Sequence, residues 1–142
     1  MQAHIPEITN VIQLAVAPVF MLTAVGTILA ALNMRLGRAV DRRRALEEGL
    51  AGRSADDGAR AELAQIARRI RFVYLSIVFA VLSGLFVCLL IAGAFIGAFV
   101  AADLTRMVAA LFVLAVASLT VSLLLFLREI FLAVSTPRHV PK

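Results

Sequence analysis

The sequence predicts an all-α membrane protein with three transmembrane helices and a cytoplasmic antiparallel helical hairpin that extends spans one and two. Two observations carry this. Of 142 residues, 62% are hydrophobic and 16% charged, with a mean hydropathy of +0.97, well above the roughly half-apolar composition of soluble domains. The charges are also not spread along the chain. Residues 33–71 hold ten arginines against six acids, and long apolar runs flank this block on both sides.

The first span covers about residues 8–32, some 25 residues or about 37 Å of helix, more than the ~30 Å hydrocarbon core requires. Pro6 precedes it, at a position where a missing N–H costs little. Pro18 lies inside it and is expected to kink it, because it removes a backbone hydrogen bond and crowds the preceding turn. On a helical wheel Thr9, Gln13, Val16, Phe20, Thr23 and Thr27 fall on one narrow face. A threonine in a helix can satisfy its hydroxyl on the carbonyl one turn back. The Gln13 amide has no such local partner, so it is expected to face protein or water rather than lipid.

After Leu32 the pattern stays helical but turns polar. Leu32, Leu36, Ala39, Arg43, Leu46 and Leu50 recur at alternating spacings of four and three, with Arg43 as the one non-apolar member. Arg38 with Asp41, Asp41 with Arg44, and Arg43 with Glu47 are spaced to pair along the helix. The stretch AGRSADDG at 51–58 breaks the pattern, with Gly49 and Gly52 as terminators and Ser54, Asp56 and Asp57 as N-cap candidates. A second helix resumes near Ala59, its seam formed by Leu63, Ile66, Ile70 and Val73. These two polar extensions form the predicted hairpin, about residues 33–71, and the whole chain reads as a single membrane domain.

The second span runs over about residues 72–102. Gly93 and Gly97 sit four apart in it, a spacing that lets helix backbones approach closely. Asp103 is positioned to cap the short turn into the third span, about residues 107–127. There Ser118 and Ser122 share a face, with Glu129 three turns below Ser118 and Arg128 beside it at the interface.

Topology follows from the arginines. The turn at 101–106 has one residue of each sign, so the positive-inside rule puts the hairpin and C-terminus in the cytoplasm and the N-terminus outside. The first ten residues contain no Lys or Arg, which argues against a cleaved signal peptide. The basic cluster of Arg35, Arg38, Arg42, Arg43, Arg44, Arg68, Arg69 and Arg71, with Asp41 among them, has two readings. It is either a patch for anionic lipid headgroups or ions, or a topology signal on solvated helix faces. Its position between spans argues against nucleic acid as the partner.

No catalytic constellation is visible. His4 and His139 lie at opposite ends of the chain and Cys88 is the sole cysteine, in an apolar setting that reads as buried. No phosphate loop or metal-ligand spacing occurs, so no enzyme activity, cofactor or metal is expected.

The segment from Ile12 through Arg42 resembles the N-terminal signature of a prokaryotic membrane family known as domain of unknown function 2721. The resemblance rests on Ile12-Gln13-Leu14-Ala15, on Ala17-Pro18-Val19-Phe20, and on Asn33-x-Arg35-Leu36-x-Arg38-x-Val40-Asp41-Arg42. It implies a three-pass helical protein of the prokaryotic cytoplasmic membrane and supplies no activity.

Three helices are a thin bundle in which to bury Gln13, Thr23 and Thr27. The expectation is therefore a homo-oligomer with span one facing its axis. The polar stripe would line a small ion path, Phe20 would constrict it, and Arg38 or Arg42 would lie near its inner mouth. The alternative is a non-conducting scaffold whose basic hairpin binds anionic lipid or a partner protein.

Overall fold

A computed structural model describes residues 5–50, 57–100 and 103–134. These form three α-helices, α1 (Ile5–Leu50), α2 (Asp57–Val100) and α3 (Thr105–Val134), and no strand occurs among the described residues. Each helix is long and apolar enough to cross a membrane, so the protein is an all-helical, multi-pass membrane protein. At 1.5 Å per residue, the 46 residues of α1 extend about 69 Å, over twice the ~30 Å core of a bilayer. The arginine-rich second half of α1 is the part that a bilayer cannot hold.

The helices end where local chemistry dictates. α1 remains helical on both sides of Pro18, which is buried. Pro6 falls in the first turn, where helix N–H groups have no intrahelical partner to lose. α3 begins with the expected cap: the Thr105 N–H donates to Asp103 Oδ1 at 3.2 Å, and the Val108 N–H donates to the Leu104 carbonyl at 3.0 Å. That hydrogen bond holds the Asp103 carboxyl below its usual range. The proposed turn at 51–56 lies outside the described residues, as do His4 and His139.

Contacts among the helices divide into two units. The first comprises Met1–Leu29 and Phe79–Thr120. Its core holds Val25, Ala80, Val87, Leu90 and Ala115 with the buried Ser83 and Ser118. α2 and α3 come close enough for the Ser83 hydroxyl to donate to the Ala115 carbonyl at 2.8 Å. Small side chains on both helices make such an approach possible. The glycines differ in what they contribute. A Cβ on Gly93 would lie 3.1 Å from Met107 Cε, whereas one on Gly84 would meet Val25 Cγ1 at an ordinary 3.5 Å. Close approach therefore matters at Gly93, against α3, and not at Gly84. Gly97 is half-buried.

The second unit comprises Ala30–Val78 and Val121–Lys142. Leu32, Ile66 and Val73 are buried; Leu36, Ala39, Leu46, Leu50, Leu63 and Ile70 are half-buried, and Arg43 is exposed. Ser76 and Ser122 are both fully buried and satisfy each other's helix. The Ser76 hydroxyl donates to the Ser122 carbonyl at 3.1 Å, and the Ser122 hydroxyl to the Ser76 carbonyl at 2.7 Å.

Candidate functional site

The functional candidates fall into two sets, one in each unit. The first is the face of α1. Gln13, Val16, Phe20, Thr23 and Thr27 are all exposed, at spacings of three and four that keep them on one side of a helix. Phe20 is 72% exposed. The threonine hydroxyls are occupied locally: Thr27 donates to the Thr23 carbonyl at 3.0 Å and Thr23 to the Val19 carbonyl at 3.5 Å. Gln13 makes no hydrogen bond among the described residues. Within one chain it is therefore not turned inward against another helix.

The second set centres on Glu129, which is 3% exposed. Its Oε2 accepts from Arg35 Nη1 at 3.1 Å, and its Oε1 accepts from Arg69 Nη2 at 3.0 Å and Nε at 3.3 Å. One carboxylate from α3 thus joins an arginine from α1 and another from α2. Burying a lone carboxylate in this setting would be costly; three charge-assisted hydrogen bonds make it tolerable. The Arg35 guanidinium also lies 5.0 Å from the centroid of the Phe126 ring, an attractive cation–π distance. Arg128 stands 5.9 Å from the Phe72 ring. Beside this node a cleft of about 340 Å³ is lined by Arg35, Arg38, Ala39, Arg42, Ile66, Arg69 and Glu129. Arg42 leans across to Glu62 on α2 at 2.8 Å.

The sequence expectations fare unevenly here. The structure brings Arg35, Arg38, Arg42 and Arg69 to one cleft and leaves Arg44, Arg68 and Arg71 exposed elsewhere. Of the three pairs expected along α1, Arg43–Glu47 forms at 2.8 Å. Asp41 reaches neither Arg38 nor Arg44, because Arg38 lines the cleft and all three side chains are well hydrated. Cys88, expected to be buried, is exposed; it follows the buried Val87 by one residue, and a step of about 100° carries it off the packed stripe.

Glu129 was legible only as an interface carboxylate near the Ser118–Ser122 face. Its partners on the other two helices cannot be read from spacing along one. Ser76 and Ser83 were missed altogether, although serines seven apart in an apolar helix are the available signal. No buried side-chain polar atom lacks a hydrogen-bond partner among the described residues, and none of their His, Cys, Asp and Glu side chains form a group that can hold a metal.

Fold and site together define a multi-pass helical membrane protein with three candidate spans and a carboxylate–arginine node. The chain belongs to the family described as Protein of unknown function (DUF2721), whose model matches residues 15–139. Searches of curated proteins and of solved structures found no match.

Proposed function

We propose that this protein is a homo-oligomer of the prokaryotic cytoplasmic membrane in which α1 of each copy faces a shared axis and lines a small ion path. The observation that carries this reading is Gln13. It is exposed, makes no hydrogen bond among the described residues, and sits in a stretch apolar enough to span a bilayer. An amide facing hydrocarbon is costly, and either a second copy or axial water relieves that cost. On the same line Phe20 would form a hydrophobic constriction, with Thr23 and Thr27 beyond it. The arginine excess of residues 33–71 orients the chain with its N-terminus outside and its C-terminus in the cytoplasm.

One observation favours a second reading, a non-conducting scaffold. The Thr23 and Thr27 hydroxyls donate to their own helix, so Gln13 alone would have to join the copies, leaving the arginines to engage lipid or a partner.

The test begins with the mass of the complex in lipid nanodiscs. A monomer or dimer encloses no axial path and removes the channel. For a closed ring, ion flux in proteoliposomes decides: Gln13→Leu should change it and Phe20→Ala should raise it. A ring with no flux above empty liposomes leaves the scaffold.

A further inference from the structure

The geometry points to the cleft formed by Arg38, Arg42 and the Glu129-held pair Arg35 and Arg69 as a binding site for a phosphomonoester dianion. Three observations converge on it. First, Glu129 fixes two of the guanidiniums while occupying few of their donors. Arg35 gives it one N–H and Arg69 gives it two, and each guanidinium carries five. The remaining N–H groups are held in place without being used up, which is what preorganised anion recognition needs. Second, Arg38 lines the same cleft and makes no ion pair among the described residues. Third, the charges do not balance. Four arginines meet Glu129 at the cleft and Glu62 beside Arg42, leaving two positive charges uncompensated.

Those two charges select the ligand class. A phosphomonoester carries about −1.5 to −2 at neutral pH and offers three terminal oxygens to guanidinium forks, whereas a phosphodiester carries a single charge. The cleft volume of about 340 Å³ falls at the small end of ligand sites, roughly 300–1,000 Å³. A topology signal alone gives no reason for four arginines from two helices to converge on one cleft. Arg35 follows the last buried residue of the first apolar run, Leu32, by three positions, and Arg69 precedes Phe72 by three. That is the level at which lipid phosphates lie. The phosphomonoester can therefore belong to a lipid with a bare phosphate headgroup or to a soluble phosphate ester. The site shares no residue with the α1 face proposed to line a path, so failure of either proposal leaves the other standing.

The experiment uses the full chain in phosphatidylcholine nanodiscs with phosphatidic acid or phosphatidylglycerol added at equal mole fraction, and retained lipid counted by native mass spectrometry. In a parallel arm, glycerol 3-phosphate is titrated into discs of phosphatidylcholine alone. Phosphatidic acid should be retained over phosphatidylglycerol by about tenfold. At about 1 kcal/mol per arginine near a membrane surface, R38A/R42A should weaken binding about thirtyfold. R68A/R71A removes the same charge from outside the cleft and should change binding by less than about twofold. If R38A/R42A fails to fold, Arg38→Gln alone, at an exposed side chain with no ion-pair partner, should cost about fivefold. Binding of glycerol 3-phosphate identifies a soluble ligand; its failure beside retained phosphatidic acid identifies the lipid. Equal retention of the two lipids, equal losses in the two arginine pairs, or no binding of any probe overturns the proposal.

Discussion

Removing the carboxylate in Glu129→Ala deletes the one acceptor on which Arg35 and Arg69 converge and leaves two like charges side by side. For a fully buried ion pair, deleting one partner costs about 3–5 kcal/mol, while an exposed pair is worth about 0–1 kcal/mol. Here the Glu129 side chain is 4% accessible, but those of Arg35 and Arg69 are 38% and 35% accessible, so both cations can recover much of their hydration. The expected loss is therefore intermediate, about 2 kcal/mol. Because the chain has no Trp and one Tyr, the suitable assay is far-UV circular dichroism during SDS titration in mixed micelles, extrapolated linearly. Replacing the whole node in Arg35→Met, Arg69→Met, Glu129→Leu should recover most of the loss, since an apolar node has no charge to leave unpaired. Recovery should fall short by about 0.5–1 kcal/mol because Arg35 also loses its contact with Phe126. Stability of Glu129→Ala within about 0.5 kcal/mol of wild type, or a triple variant no better than the single one, would refute a stabilising node.

The reciprocal Ser76–Ser122 bonds should be worth about 0.6 kcal/mol each, the membrane average for such contacts. Ser76→Ala with Ser122→Ala should thus lose about 1 kcal/mol in the same titration, and Ser76→Leu, forced into a site with no free surface, should lose more. Asp103 predicts a pH effect. Its carboxyl is held below the model value of 3.8 by the Thr105 hydrogen bond, so its contribution is fully present above that value and is lost as pH falls through the lowered folded-state pKa. The acid limb of a stability–pH curve should therefore be shallower in Asp103→Asn than in wild type.

Architecture was legible because it depends on quantities that sum along the chain: apolar run length, arginine density and the break at 51–58. The cap at Asp103 was legible because its partner is two residues away. The Glu129 node was not, because a carboxylate between two helices and an arginine on each are separated by 60 and 94 residues, and no local rule pairs them. The Ser76–Ser122 contact was hidden for a related reason: serine in an apolar helix reads equally as a residue bonded to its own backbone. Thr120, on the same helix as Ser122, does donate to its own helix, at the Val116 carbonyl. Whether a hydroxyl turns inward or back is set by the helix packed against it, and one strand of sequence does not contain that helix.

The distribution of satisfied polar groups separates the helices by role. In the first unit, Ser83 reaches from α2 to the α3 backbone. In the second, Ser76 and Ser122 close on each other, and Glu129 has each oxygen occupied. The described α2–α3 contacts thus leave no buried polar side chain waiting for a partner. α1 differs at both of its candidate sites. Gln13 has no hydrogen-bond partner and Arg38 no ion-pair partner among the described residues, and both are exposed. Interactions with a second copy or an anion would therefore begin on α1, where free donors already face outward. Substitutions on the buried faces of α2 and α3 should act on stability first. Those at Gln13 and Arg38 should leave stability nearly unchanged and alter association or binding, a separation that the SDS titration and the nanodisc measurements resolve when run on the same variants.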